Sequence, residues 1–148
     1  MCIRDRQSFS VTPDGKLNAM EVTLQETPVA VRKTIEARLA NAKLEDIYHM
    51  FEEGTTSYYV EIRREGKLRD FSVAESGKLQ SVQVFIAEMS AEVQKTINDK
   101  VGNGQILRVD KSFERRHDVL PYEIEARKEG KPFNFSVGPK GRFLGMDD

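Results

Sequence analysis

The sequence predicts an α+β protein built of tandem modules, each with one helix packed on one face of a four-stranded antiparallel meander. Three observations predict it. The pattern F-S-V-x-x-x-G-[KR]-[LF] occurs at Phe9–Leu17, Phe71–Leu79 and Phe135–Phe143, at offsets of 62 and then 64 residues. An apolar stripe of helical period, Val31-Ile35-Leu39, recurs as Val93-Ile97-Val101. Short segments of period two, separated by turn residues, follow each stripe.

Two further blocks fix the register of the repeat. Val31-Arg32-Lys33-Thr34-Ile35 matches Val93-Gln94-Lys95-Thr96-Ile97. Tyr58-Tyr59-Val60-Glu61 with Glu65-Gly66-Lys67 matches Tyr122-Glu123-Ile124-Glu125 with Glu129-Gly130-Lys131. The two extra residues of the second interval fall within Glu114–Pro121, where a turn tolerates them.

Thr27-Pro28 reads as a helix start, a Thr N-cap followed by Pro at the first helical position. Ser90-Ala91 takes that place in the next copy, and Gly102 is a stop signal. Four strand segments follow the first helix: Ile47/His49/Phe51, Tyr58/Val60/Ile62, Phe71/Val73 and Val82/Val84/Ile86. Alternation with a polar second face implies an antiparallel sheet covered on one side, with the helix as its cover.

This pattern divides the chain. Residues 1–6 spell Met-Cys-Ile-Arg-Asp-Arg, which reads as the translated end of a sequencing-library adapter and is set apart from the fold. On that reading the natural N-terminus lies upstream and the segment is silent on a signal peptide. Residues 7–24 hold the last two strands of a first module, expected to be loosely ordered or packed on its neighbour. Residues 25–86 form a complete module and 87–148 a second, whose last strand is expected to be short or absent.

The bulk chemistry excludes several functions. With 23 basic and 24 acidic residues there is no global basic field to draw in nucleic acid. Charged residues make up 32% of the chain and no apolar run has transmembrane length, so no membrane insertion is expected of this stretch. Cys2 is the one cysteine, so no disulfide within the chain and no thiolate metal cluster can form.

The order of the blocks resembles the PepSY-like and β-lactamase-inhibitor-protein-like repeats of exported bacterial proteins. The residues that carry the resemblance are Pro28–Ile35, Tyr58–Ile62 and Phe71-Ser72-Val73 with Gly77-Lys78-Leu79, and it extends over the chain from Phe9 onward. It implies a periplasmic or secreted, non-catalytic module that binds another exported protein. The alternative it implies is a peptidase inhibitor or propeptide-like module that occupies an enzyme cleft. The inhibitor fold is braced by disulfides that this chain lacks.

No constellation for catalysis emerges. His49 lies mid-strand, where the next copy has Lys111, so a metal ligand at that position would not recur; His117 lies in the charged turn Glu114–Asp118. The adjacent carboxylates Glu52-Glu53 and Asp147-Asp148 point to opposite faces if extended, so they make no acid/base pair. No phosphate-cradling glycine loop is present. The reading is a non-enzyme without cofactor or metal. Strand parity puts Tyr48, Met50, Tyr59, Glu61, Arg63 and Leu68 on the sheet face away from the helix; the first five are the candidate protein-binding residues. The last module has Asp110, Ser112, Glu123, Glu125, Arg127 and Pro132 there, without aromatics.

Overall fold

The computed structural model describes residues 8–52 and 54–147. The adapter-like stretch 1–6 lies outside the described residues, as do Gln7, Glu53 and Asp148. The chain divides into two compact units, Met1–Gln80 and Ser81–Asp148. Among the described residues no helix is long and apolar enough to cross a membrane.

The first unit runs β1 (Phe9–Val11), β2 (Leu17–Glu21), a 3-10 turn at Leu24–Glu26, α1 (Val29–Leu39), β3 (Lys43–Glu52), β4 (Thr55–Arg64) and β5 (Lys67–Ala74). β6 (Leu79–Val84) crosses the boundary between the units. The second unit continues with a 3-10 turn at Ile86–Glu88, α2 (Ala91–Val101), β7 (Gln105–Ser112), β8 (Tyr122–Lys128), β9 (Lys131–Val137) and β10 (Phe143–Asp147).

The expected fold of tandem helix-plus-four-strand modules is corrected by the strand pairing. In the first unit β1 to β5 pair in sequence order and in the second β6 to β10 do, each pair antiparallel, so each helix lies within a five-stranded run rather than ahead of a four-stranded meander. β2, which precedes α1, pairs with β3, which follows it: Met20 stands opposite His49 and Glu21 opposite Tyr48. β6, expected as the last strand of a meander, pairs with β7, with Val84 opposite Val109. The physical reason is that a closed four-stranded meander leaves unpaired N–H and C=O groups along both edges. The strand arriving before each helix satisfies one of those edges. Periodicity in the sequence is the same wherever a module is taken to begin, so it cannot choose between the two pairings.

The helices form and stop for local reasons. Ser90 caps α2, its hydroxyl accepting from the Val93 N–H at 3.3 Å, and Gly102 ends that helix at φ 59°. At α1 the N-cap is Pro28 rather than Thr27. The Thr27 hydroxyl is turned back to donate to the Leu24 carbonyl at 2.6 Å, and the residue is buried. Both 3-10 turns are tied in the same way: the Thr23 N–H donates to Glu26 and the Phe85 N–H to Glu88, each at 2.9 Å.

Each helix buries its stripe on one sheet face. In the first unit Val31 and Ile35 are buried with Ile47, Tyr58, Val60, Ile62, Phe71 and Val73. In the second, Val93, Ile97 and Val101 pack with Val109, Ile124, Ala126, Phe135 and Val137. Full burial of one such side chain contributes about 1.5–3 kcal/mol, so these two clusters dominate the stability of their units.

The hairpins after β5 and β9 are pinned to the helices. The Thr34 hydroxyl donates to the Gly77 carbonyl at 2.6 Å, and the Thr96 hydroxyl to the Gly141 carbonyl at 2.5 Å. A Cβ at Gly77 would come within 2.8 Å of the Ala30 carbonyl oxygen, and one at Gly141 within 2.8 Å of that of Glu92. In its second and third copies the F-S-V-x-x-x-G motif therefore combines two core residues with a glycine that lets a turn touch a helix backbone. β1 and β2 are ordered as a hairpin joined to β3, and β10 is present with five residues.

Candidate functional site

The sheet surface opposite α1 carries the five residues singled out in the sequence. Register places Tyr48 across from Tyr59, with ring centroids 6.3 Å apart and planes tilted by 41°. Met50 stands across from Ser57, and Glu61 between Asp46 and Asp70. The Tyr59 phenol donates to Asp70 Oδ2 at 2.8 Å and lies 3.2 Å from Glu61 Oε1. Asp70 is 7% exposed, so its carboxylate is held inside the layer of side chains rather than at its rim.

All five residues thus share one face of the sheet, and Arg63, at its end, is already engaged. Its Nε donates to Glu45 Oε1 at 3.0 Å, and a terminal nitrogen donates to the Gly66 carbonyl at 3.2 Å. Glu45 is reachable because β3 bulges between Leu44 and Asp46. The tyrosine pair sits in an acidic surround. Burial pushes the Tyr48 hydroxyl above its ordinary value, and the carboxylates Asp46, Glu21 and Glu61 push it the same way.

The corresponding surface of the second unit is a different object. Asp110, Glu123, Ile124, Glu125, Asn134 and Asp147 line a depression of about 270 Å³. Arg116 reaches in from the β7–β8 connection, donating to Ser136 Oγ at 2.7 Å and pairing with Asp147, while the Ser136 hydroxyl donates to Asp147 at 3.0 Å. Burial raises the Glu123 carboxyl, reinforced by Asp147 and Asp110 and opposed by Arg116. Arg108 holds both oxygens of Asp110, at 2.7 and 2.8 Å. Among the described residues no group of three or more histidine, cysteine, aspartate or glutamate side chains is placed to hold a metal ion.

Arg116 is the residue that sequence reasoning missed. It sits in a charged turn that reads as solvated, but the turn is a tight hairpin. Arg116 and Val119 exchange backbone hydrogen bonds, and His117 and Asp118 between them both have positive φ, at 51° and 62°. No pattern within Glu114–Pro121 announces the pairing with Asp147, which lies 31 positions further on. His117 and Asp118 form that turn, and Asp148 lies outside the described residues.

His49 lies on the other face, with α1. Its ring stacks on Tyr58 at 4.4 Å and tilts against Phe51 at 4.2 Å. Nε2 is buried and has no hydrogen-bond partner among the described residues, and burial lowers the imidazole below its ordinary value while Glu75 opposes the shift. That environment suits a neutral packing residue.

No family model and no curated protein matches the chain. Solved structures similar to it include two Bacteroides proteins. One is a protein of Bacteroides eggerthii described as periplasmic, at 13% identity, covering 82% of this chain and 88% of that one with a TM-score of 0.59. The other is a DUF2874-family protein of Bacteroides ovatus, also 13% identical, covering 82% of this chain and 86% of that one with a TM-score of 0.58. At such identity the likeness establishes a shared α+β fold.

Proposed function

We propose that this chain is a non-catalytic protein-recognition module of an exported bacterial protein. The observation that carries the reading is the acid-ringed tyrosine surface of the first unit. Tyr48 and Tyr59 are paired across strands, and Tyr59 is held by Asp70 and Glu61, with Met50 alongside. Such a surface fits a partner that presents arginine or lysine side chains. Their aliphatic stems pack on Met50 and the rings, and their charges meet Glu61 and Asp46. Export and a periplasmic place are supported by the description of the B. eggerthii protein, which shares the fold. Kinship with PepSY-like proteins belongs to the same proposal and rests on the sequence blocks named above.

The immobilised chain, incubated with a periplasmic extract of a Bacteroides species, should retain a protein that the Tyr48→Ala/Tyr59→Ala variant does not. Equal retention by both variants, or none by either, would overturn the proposal. A captured peptidase whose activity falls in stoichiometric proportion to added chain would make the interaction inhibitory.

A further inference from the structure

The two residues by which the second repeat interval exceeds the first reshape one end of the second unit. β3 and β4 stay paired to their tight turn, with Glu52 opposite Thr55. β7 instead ends at Ser112 and β8 begins at Tyr122, and between them Arg116 and Val119 close a small hairpin. That connection lies against the turn between β9 and β10: a Cβ at Gly138 would stand 3.8 Å from Val119 Cγ2. Between the two connections is a pocket of about 260 Å³.

The pocket joins an apolar wall to unpaired positive charge. Val119 and Leu144, both half-buried, line it. Gly138 is buried beside them and carries no side chain where the other copies have Thr12 and Ala74. His117, Lys140 and Arg142 line it as well and are exposed. No aspartate or glutamate is among the described residues that line the pocket, and none of the described carboxylates forms an ion pair with these three side chains. The backbone of the turn differs too. The Lys16 and Lys78 N–H groups donate to the hydroxyls of Thr12 and Ser76, at 3.1 and 3.4 Å. Arg142 takes their place in the third copy, where Gly138 and Lys140 offer its N–H no hydroxyl.

Positive groups around an apolar wall select an anion that carries an apolar group. Pockets that enclose a whole drug-sized ligand span roughly 300–1,000 Å³, so this smaller one fits a single side chain with an adjacent carboxylate. A free amino acid would add an ammonium group that meets only like charge. The last residue of a polypeptide brings the carboxylate without that charge, and the chain behind it leaves over the exposed rim. We propose that this pocket binds the C-terminal carboxylate of a partner polypeptide that ends in an aliphatic residue such as leucine. The carboxylate accepts from Arg142 and Lys140, with His117 completing the rim, and the aliphatic side chain covers Val119 and Leu144. The site lies wholly within the second unit and takes an acidic group, so it stands independently of the tyrosine surface of the first.

The probe is N-acetyl-glycyl-alanyl-leucine, titrated into the ¹⁵N-labelled full chain and followed by amide chemical shifts. Saturable shifts are expected at Val119, Gly138 and Leu144. The same peptide with a C-terminal amide, and leucine itself, should each bind at least tenfold more weakly. Lys140→Gln/Arg142→Gln should weaken binding at least tenfold, and Gly138→Leu should abolish it by filling the pocket. Tyr48→Ala should leave it unchanged. Lys140 and Arg142 are exposed, so an unaltered melting curve for their double variant keeps the test decisive even where Gly138→Leu fails to fold. Absence of saturable shifts, equal binding of the amide, or equal binding by the double variant overturns the proposal. So does 4-methylpentanoate binding as tightly as the peptide, because the occupant is then a small acid and not a polypeptide end.

Discussion

Replacing Gly77 with alanine tests whether the turn after β5 is fixed by its contact with α1. Both Gly77 and Gly15 have strongly positive φ, so alanine at either position carries the left-handed backbone cost of about 1–2 kcal/mol. Only at Gly77 does the new Cβ collide, at 2.8 Å from the Ala30 carbonyl oxygen and 2.9 Å from the carbonyl carbon. These are backbone atoms of a helix and cannot swing aside as a long side chain does. Opening the contact overpacks the seam at about 1–3 kcal/mol. It also stretches the 2.6 Å bond from Thr34 to Gly77, which contributes about 1 kcal/mol. Gly77→Ala should therefore cost about 3–6 kcal/mol, against about 1–2 for Gly15→Ala. Hydrogen exchange of the α1 amides, followed by mass spectrometry, reads the loss within the first unit. Equal losses for the two variants, within about 0.5 kcal/mol, would refute the close-approach argument and leave backbone strain as the whole effect.

Three further outcomes follow from the same geometry. Phe71→Ala should destabilise the first unit by about 3–5 kcal/mol, whereas Phe9→Ala should change it by less than about 0.5, since one side chain is buried and the other is not; urea denaturation compares them. Thr96→Val should cost about 1 kcal/mol through loss of the bond to the Gly141 carbonyl, seen as faster exchange in the β9–β10 turn. His49 titrates below its ordinary value in the folded state, so the unfolded chain takes up the proton first. Stability should hold at neutral pH, fall as pH drops from about 6.5 through the lowered value, and level off below it. The slope should be absent in His49→Phe; its persistence there would assign it to other groups.

Much of the local structure is legible in the sequence. Val31, Ile35, Val93 and Ile97 mark the buried stripes, Ser90 and Gly102 the ends of α2, and Tyr58, Val60, Phe71 and Val73 the inner sheet face. Strand parity also separates Tyr48, Met50, Tyr59 and Glu61 from that inner face, because a period of two leaves no other choice. The engagement of Arg63 by Glu45 is invisible to parity, since a bulge in β3 creates it. The Arg116–Ser136–Asp147 network is equally hidden, because it joins residues from three separate elements.

The sequence by itself determined which segments are helix and strand, which side of each faces the core, and where the glycine turns fall. Those properties are local: they follow from periodicity, caps and left-handed backbone positions along a short stretch of chain. Only the tertiary structure decided which strands pair. The strand before each helix joins the strand after it, because a ladder hydrogen bond is made between whichever edges meet. A repeating sequence offers the same edge at every copy. The tertiary structure also showed that identical F-S-V motifs meet different fates. Phe71 and Phe135 lie beneath helices while Phe9 faces solvent, a difference that resides in what covers the motif.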